Sequence, residues 1–480
     1  MTIFFALIHI LFLIAIGFYL ITCLQWFSYK FERILFHFTK PLWHVWFLII
    51  PIILHFLSAI FGSAFFSVYF LAIYLPSLIF WHKKLDKKLV LTSRIKRFFG
   101  FLIVSAVIFT LLCAILKTQI FPLFLPLAVA FLASFAYEKH LFLNFKKSAM
   151  QKLAQIPNLL IVQITASYGK TSIKNFLYQI LSCKFQCYKT PRSVNTLGGL
   201  MKDINDDLPS DTQIYIAEAG ARLSGDIAEI TQFLKPQIVV VGEIGAQHIE
   251  YFKSVENVRA TKLEALQSPN LQKAFLHTTT NLENSQKQVI YNENLKILSA
   301  NLDGIKFSLK FGDEFREFFA PILGEFNAEN LAVCIKIAEF LGLSYDEIYS
   351  CVANLQSVEH RLQKIEANGK IIIDDSFNGN LAGMLSSYEL VRTFESRKVI
   401  ITPGIVESTK ENNEILAEKI DEIFDLVMVT GELNLATLQS KIDPQKLIII
   451  KDKSKLTENL AKFTMKGDLI LFSNDAPNFI

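Results

Sequence analysis

Thr165-Ala166-Ser167-Tyr168-Gly169-Lys170-Thr171-Ser172 follows directly on an apolar, β-branched run, Leu159–Thr165, and opens a helical stretch. A turn so placed points backbone N–H groups and a helix N-terminus at a phosphate. Lys170 then reaches the outer phosphates of a nucleotide, and the Thr171 hydroxyl becomes a ligand for Mg2+. Gly-Lys-Thr by itself is frequent in surface turns, so the reading rests on its position after a strand. The common phosphate-binding loop has Gly where Ile164 stands here, which makes this a different, shorter form. Glu218 closes a second apolar run, while His248, Lys262, Arg361 and Asp375 are singled out only by a resemblance of the segments around them to known motifs. Asn327 and Asn330 lie three apart at a helix start and share one face. Each has an ordinary alternative: Glu218 a helix cap, His248 a satisfied core residue, Lys262 a solvated helix lysine, the two asparagines a cap and a turn.

These residues need a scaffold, and the pattern after about Pro157 supplies one. Short β-branched runs at Leu159–Thr165, Ile214–Glu218, Gln237–Val241, Lys370–Asp374, Lys398–Thr402, Leu426–Thr430, Lys446–Ile450 and Asp468–Phe472 alternate with helical stretches such as Ser172–Leu181 and Ala328–Leu341. Strands alternating with helices predict an α/β fold with parallel sheets buried on both faces. A boundary near residues 355–362 divides the region into a central domain, 151–357, and a C-terminal domain, 358–480, of ordinary domain size.

Residues 1–150 are different. The chain of 480 residues is 52% hydrophobic, with 43 Phe and a mean hydropathy of +0.36, and the excess lies almost wholly before residue 140. Spanning a bilayer takes roughly 17–25 apolar residues. Ile3–Gln25 provides one run, Pro41–Trp81 two helices broken near Gly62-Ser63, and Phe98–Leu116 and Ile120–Tyr137 a fourth and fifth. The first run lacks a basic start and a cleavage site, which argues against a signal peptide. Lys30, Arg33 and Lys40 follow the first run, Lys83, Lys84, Lys87, Lys88, Arg94, Lys96 and Arg97 the third, and Lys139, Lys146, Lys147 and Lys152 the fifth; the other connections hold only Lys117. This alternation predicts an outside N-terminus and a cytoplasmic chain from about residue 138. His9, His44 and His55 sit in or beside the spans without an acidic partner in the runs, and are read as packing residues. A net charge of +4 gives no reason to expect a nucleic-acid partner. The six cysteines, Cys23, Cys113, Cys183, Cys187, Cys334 and Cys351, have neither disulfide nor zinc spacing and are expected as reduced thiols.

From the shorter loop onward, the motifs resemble those of the Mur ligase family in matching order over some 220 residues. The loop is similar to Thr-Gly-x-x-Gly-Lys-Thr. Ala217–Arg222, followed by Ser224–Ile227, resembles the segment whose Glu binds Mg2+, here Glu218. Val241–Glu250 resembles the stretch whose His holds a second metal, here His248. Ala260–Glu264 is similar to the segment with a carbamylated lysine, which implies that Lys262 acts as a bridging carboxylate. Leu323–Asn330 resembles the adenine segment, implying that Asn327 and Asn330 read the base, and Glu359-His360-Arg361 brings the arginine that meets the phosphates. Ile373–Asn380 is close to D-D-S-Y-N-A-N-P; it implies Asp375 at the ribose and Asn378 near the reaction centre. Ser193-Val194-Asn195-Thr196 resembles the family's substrate-side loop. The resemblance therefore implies ATP and Mg2+ as cofactors. It assigns Thr165, Ser167, Gly169, Lys170, Thr171 and Ser172 to the nucleotide, and Lys170, Lys262, His248 and Arg361 to catalysis. Ser193, Asn195, Thr196 and Asn378 go to the acceptor.

Ile373–Asn380 and Thr402–Glu407 are nearest to family members that add D-alanyl-D-alanine in peptidoglycan synthesis. That implies an acyl-phosphate ligase joining the dipeptide to a UDP-MurNAc-tripeptide carboxylate, with the helices in contact with membrane lipid. Departures are Ala166 for the first loop Gly, Tyr168 for Asn, Phe326 for the His before Asn327, and Leu381 for Pro. The family's UDP-gripping domain has no counterpart before residue 157; membrane segments take its place. Two alternatives stay open: a Mur-like ligase with another cell-envelope or amino-acid substrate, and a membrane ATPase.

Overall fold

The computed structural model describes residues 3–27, 29, 42–85, 87–116, 122–246, 249–377, 379–406 and 408–475. They form two compact units, Met1–Lys147 and Ser148–Ile480.

The first unit is helical: α1 (Ile3–Trp26), α2 (Ile50–Phe61, entered through Leu42–His44 and a π-turn at Val45–Ile49), α3 (Ser63–Lys83), α4 (Ser93–Leu116) and α5 (Phe124–Gln155). Gly62 separates α2 from α3 at φ +88°, backbone that suits Gly, and marks the break expected there. Three of these helices, α1, α3 and α4, are long and apolar enough to cross a membrane, and Leu42–Ser58 is a shorter apolar helix. On α4 the row Val104, Ile108, Leu111 and Ile115 points away from the bundle and is exposed, an apolar stripe at helical spacing that water would disfavour. The inner faces hold aromatic rings: Phe12 packs edge-on against Phe66 and Phe70, and the His9 and His55 rings stack at 5.3 Å. The Tyr19 hydroxyl bonds His44 Nδ1 at 2.7 Å. The three histidines are thus packed against aromatic neighbours.

The second unit contains two six-stranded sheets. The first has the order β2-β3-β1-β4-β5-β6, all parallel, from β1 (Leu160–Thr165), β2 (Cys187–Lys189), β3 (Ile214–Glu218), β4 (Ile238–Val241), β5 (Lys273–Leu276) and β6 (Gln288–Ile290). Alternate residues of its strands feed two cores, as the two-residue period of a strand requires. Val162, Ile164, Ile216 and Val240 face α6 (Lys170–Leu181) and α10 (Asn327–Phe340). Ile161, Tyr215, Val239 and Val241 face α7 (Leu197–Asp206) and α8 (Asp226–Leu234), with α9 (Val255–Leu263) beside them. Gln163, wholly buried in β1, donates to Thr231 Oγ1 at 2.8 Å.

A small antiparallel sheet, β7 (Lys296–Asn301), β8 (Gly304–Phe311) and β9 (Glu314–Ala320), then precedes α10 and α11 (Tyr345–Ala353). The second large sheet has the order β10-β11-β15-β12-β13-β14. Its strands are β10 (Gln363–Ala367), β11 (Lys370–Asp375), β12 (Lys398–Thr402), β13 (Leu426–Thr430), β14 (Leu447–Ile450) and β15 (Leu469–Ser473), and only the β10–β11 pair is antiparallel. All eight strands expected from the sequence are present; β2, β5 to β10 are additional.

One cysteine expectation is overturned. Cys183, just past α6, and Cys351, in α11, are joined as a disulfide across 168 residues, while Cys23, Cys113, Cys187 and Cys334 are free. The pairing arises from the packing of α11 beside the end of α6, where Lys184 also meets Glu347 at 3.2 Å. Spacing along the chain carries no trace of it.

Candidate active site

β1 delivers Thr165 at its C-terminal end in the centre of the sheet, where ligands of open parallel sheets bind. The following turn reverses through Gly169, whose φ of +75° is a left-handed conformation, and α6 starts at Lys170. Two other segments hold the turn. Ser167 N–H donates to Glu243 O at 2.7 Å, and Ser167 Oγ donates to Gly245 O at 3.1 Å while accepting from Gly245 N–H at 3.0 Å. Ala166, where the family carries Gly, is wholly buried, and a Cβ on Gly242 would meet its methyl at 2.9 Å. The missing glycine of the turn is compensated by a glycine across from it. Tyr168 likewise lies against Gly245, where a Cβ would strike its ring.

Lys170 folds back on its own turn and donates from Nζ to the Ala166 and Ser167 carbonyls at 2.8 and 3.0 Å. Burial lowers its pKa to about 8, Glu218 pulls it back up, and the Arg361 guanidinium lowers it further. Glu218, at the end of β3 and almost wholly buried, gathers three donors: Thr171 Oγ1 at 3.1 Å, Asn195 Nδ2 at 3.1 Å and the Lys174 ammonium at 3.1 Å. Lys174 is as deeply buried as its partner and also donates to Arg192 O. It is an ion pair that sequence reading missed; its signal is the place of Lys174 one turn beyond Lys170 on α6.

Lys262, near the end of α9, is 3% exposed, and its ammonium makes no hydrogen bond or ion pair among the described residues. Burial lowers its pKa to about 7, Lys170 lowers it as well, and Asp226, Glu264 and Glu218 oppose the shift. Lys170, Glu218 and Lys262 therefore share one field, and Arg361 enters it from the other sheet's side of the unit. Burial lowers the Arg361 pKa against the pull of Asp375 and Glu218. The turn that carries Arg361 has left-handed residues on either side, His360 at φ 61° and Leu362 at φ 50°, a costly backbone for non-glycine residues. It is anchored by His360 Nδ1 to Asp374 Oδ2 at 2.7 Å, and Arg361 Nη1 donates to Phe377 O. Asp375 ends β11 and is 2% exposed.

Asn327 and Asn330 are buried and bonded to each other: Asn330 Nδ2 donates to Asn327 Oδ1 at 2.9 Å, and Asn327 Nδ2 donates to Leu323 O at 2.8 Å. Asn330 lies against Gly169, so the helix start and the turn are in contact. Ser172 is buried; Ser193 is exposed, and Thr196 caps α7 by accepting from Gly199 N–H at 3.3 Å. His248 and Asn378 lie outside the described residues, as does Glu407. Among the described residues no group of three His, Cys, Asp or Glu side chains is arranged for a metal.

A further polar cluster was not expected. His277, after β5, meets Glu329 Oε2 at 3.0 Å and Thr279 Oγ1 at 2.8 Å, and Asn292 Nδ2 bridges to Glu329 Oε1 at 3.2 Å. Burial raises the pKa of Glu243 nearby, with the His277 imidazole lowering it. Glu243 and Glu329 both fall inside segments quoted for other residues, so their types were visible but not their convergence.

Gly169 gives a direct test of this packing. A Cβ there would run into Asn330 Oδ1 in a conformation that already costs a non-glycine residue about 1–2 kcal/mol. Gly169→Ala is expected to lower the melting temperature and weaken nucleotide binding by at least about tenfold, a loss of 1.4 kcal/mol. Titration with ADP beside a thermal melt checks it; unchanged affinity contradicts the assignment of the turn.

The sheet order and the strand–turn–helix at its centre define an α/β protein with a variant phosphate-binding loop. Residues 164–338 match the Mur ligase middle domain, so this part of the chain is similar to that of Mur ligases. The chain is 28% identical over 289 residues to the UDP-N-acetylmuramoyl-tripeptide–D-alanyl-D-alanine ligase of Borreliella burgdorferi, covering 56% of this chain and 62% of that one. To the ligase of the same name from Bacillus subtilis it is 25% identical over 357 residues, 68% and 76% of the two chains. It thus spans less than two thirds of the Borreliella enzyme's length. Among solved structures, MurF ligase of Thermotoga maritima in complex with ADP superposes with a TM-score of 0.60 at 24% identity, covering 69% of this chain and 80% of that one. The Acinetobacter baumannii 2,6-diaminopimelate–D-alanyl-D-alanyl ligase gives 0.62 at 21% identity, 69% and 76%. These likenesses establish the fold.

Proposed function

We propose that the chain is an ATP-dependent amide ligase of peptidoglycan precursor synthesis that joins D-alanyl-D-alanine to the terminal carboxylate of a UDP-MurNAc-tripeptide. The observation that carries this reading is the gathering of Lys170, Glu218, Lys262 and Arg361 around one loop, in a chain whose relatives bear that ligase's name. The residues suit a magnesium nucleotide. Thr165 Oγ1 is buried without a partner among the described residues, Gly169 leaves the turn open, and Thr171 and Glu218 offer the hard oxygen ligands Mg2+ prefers.

The nucleotide supplies a phosphoryl group to the acceptor carboxylate, making an acyl phosphate. The dipeptide amine then attacks the acyl carbon; the C–N bond forms, the C–O bond to phosphate breaks, and the amine proton leaves. Phosphoryl transfer asks the protein for position and charge more than for covalent help. Lys170 and Arg361 provide positive charge at the phosphates, and Arg361 does so from the segment joining the two large sheets. Thr171 and Glu218 hold the metal with Lys262 as its carbamate, Asn327 and Asn330 line the base, Asp375 meets the ribose, and Ser193, Asn195 and Thr196 face the acceptor. His248 and Asn378 complete the assignment from the family resemblance. We read 151–357 and 358–480 as the two ligase domains. Residues 1–150 act as a multi-pass anchor in the inner membrane, leaving the ligase domains in the cytoplasm, as the alternating basic loops support.

ADP release by the full chain tests the activity: it is expected only when ATP, the UDP-linked tripeptide and D-alanyl-D-alanine are all present. Release independent of the dipeptide favours an ATPase instead.

The Lys262 carbamate is separately testable. Its formation requires a neutral amine, which a pKa of about 7 makes available near neutral pH. Bicarbonate labelled with 13C is expected to give a carbamate signal in the wild type and none in Lys262→Ala, whose turnover falls by about 10²–10³-fold. An unlabelled wild type, or a fully active variant, rules the carbamate out.

A further inference from the structure

Trp26, Trp43, Phe47 and Trp81 enclose a recess of about 410 Å³ in the helical unit, with Ser77 and Lys84 at its edge. It lies where three helical segments end together: Trp26 closes α1, Trp43 and Phe47 open the segment that leads into α2, and Trp81 stands in the last turn of α3. Aromatic residues at a membrane boundary ordinarily turn outward into the headgroups. Here they turn on one another. Trp43 meets Trp81 edge-on at 5.4 Å, Phe47 meets Trp81 at 5.2 Å, and Trp26 meets Trp43 at 6.0 Å.

The charged group of the recess is the Lys84 ammonium, with the Ser77 hydroxyl beside it. Trp81 is 8% exposed, and its indole N–H is buried with no acceptor among the described residues. The Lys84 ammonium sits over the Phe80 ring at 4.3 Å and forms no ion pair among the described residues. Among the described residues that line the recess none is a carboxylate. The connection that follows, held down by the Gln25 side chain, which accepts from Val90 N–H at 2.8 Å and donates to Val90 O at 2.9 Å, carries Lys87 and Lys88 beside Asp86, and Arg94, Lys96 and Arg97 open α4, where Arg97 pairs with Glu138 at 2.7 Å. Apolar walls and a Lys84 ammonium without an ion pair among the described residues, beside Lys83, Lys87 and Lys88 at the end of membrane-length helices, call for an amphiphile with an anionic head.

We propose that this recess binds a membrane lipid through an anionic phosphate-ester headgroup, taken by Lys84, with its chains along the aromatic wall. The proposal rests on the reading of the first unit as membrane-embedded. It is independent of the ligase chemistry.

The chain reports on the site by itself, because its four tryptophans are Trp26, Trp43, Trp46 and Trp81 and three of them form the wall. The full chain is placed in phosphatidylcholine nanodiscs doped with a small fraction of bromine-chain lipid, either phosphatidylglycerol or phosphatidylcholine, and tryptophan quenching is read. Brominated phosphatidylglycerol is expected to quench about fivefold more effectively, the preference one lysine contributes near a membrane surface. Lys84→Gln lowers this to the phosphatidylcholine level, while Lys88→Gln, outside the recess, keeps most of it. Equal quenching by the two lipids, or a preference that survives Lys84→Gln, overturns the proposal. So does a preference removed by inorganic phosphate but not by chloride at matched ionic strength, which would make the ligand a free anion. Quenching by neither lipid overturns the membrane reading and the proposal together.

Discussion

Lys170→Ala is expected to reduce ADP release by at least about three orders of magnitude, with little change in melting temperature. The two halves of this expectation have different origins. In the structure the Lys170 ammonium binds only two carbonyls of its own turn, Ala166 O and Ser167 O, contacts that lie within four residues and hold no distant elements together. Removing them costs the fold little. The same ammonium lies in the field of Glu218 and Arg361, where the charge developing on a transferred phosphoryl group would be met. Folding back on the loop keeps the lysine beside that place and leaves it free to exchange carbonyls for phosphate oxygens. ADP release under saturating substrates, beside a thermal melt, separates the halves. Turnover within tenfold of wild type removes Lys170 from the chemistry.

Glu218→Gln is the second large effect, and here stability and activity fall together. Glu218 balances the charge of Lys174, and both side chains are almost wholly buried at 3.1 Å. A buried pair that loses one partner leaves an uncompensated charge, at a cost of about 3–5 kcal/mol. The melting temperature should drop steeply, and turnover with it, because Thr171 and Asn195 also bind this carboxylate. A second variant separates the causes. Glu218→Gln combined with Lys174→Met removes both charges, and replacing a whole buried pair is often neutral for stability. The double variant is therefore expected to fold close to wild type and to remain inactive. Recovered turnover in the double variant would leave Glu218 a structural partner of Lys174 and nothing more.

Much of this was legible in the sequence. The strand–turn–helix around Gly169 could be placed because an apolar run of six or seven residues, a glycine and a helical period carry local signals. The eight parallel strands expected from their apolar, β-branched runs announced themselves the same way. The shorter strands did not. β2 and β6 have three residues, too few for a run to stand out, and their pairing is fixed by neighbours far away in sequence. In β8 the alternation is plain, with Ile305, Phe307 and Leu309 buried between polar residues, but it belongs to an antiparallel ribbon that an expectation of parallel sheets passes over. The site divides similarly. Residue types such as Glu218, Lys262 and Arg361 were readable; the Lys174 partner, the His277–Glu329 pair and the Cys183–Cys351 bond required the fold, because each joins elements whose proximity no local pattern encodes. The departures at Ala166 and Tyr168 were plain in the sequence, but the room that Gly242 and Gly245 leave opposite them was not.

The account turns on one nucleotide site assembled from both large sheets. A structure of the full chain with Mg2+ and a non-hydrolysable ATP analogue tests it most directly. The account predicts Lys170 Nζ moved from Ala166 O and Ser167 O onto the terminal phosphates, Mg2+ on Thr171 and Glu218, and Arg361 at the phosphates. A nucleotide bound elsewhere, or bound at the turn with Glu218 still closed on Lys174 and away from the metal, contradicts it.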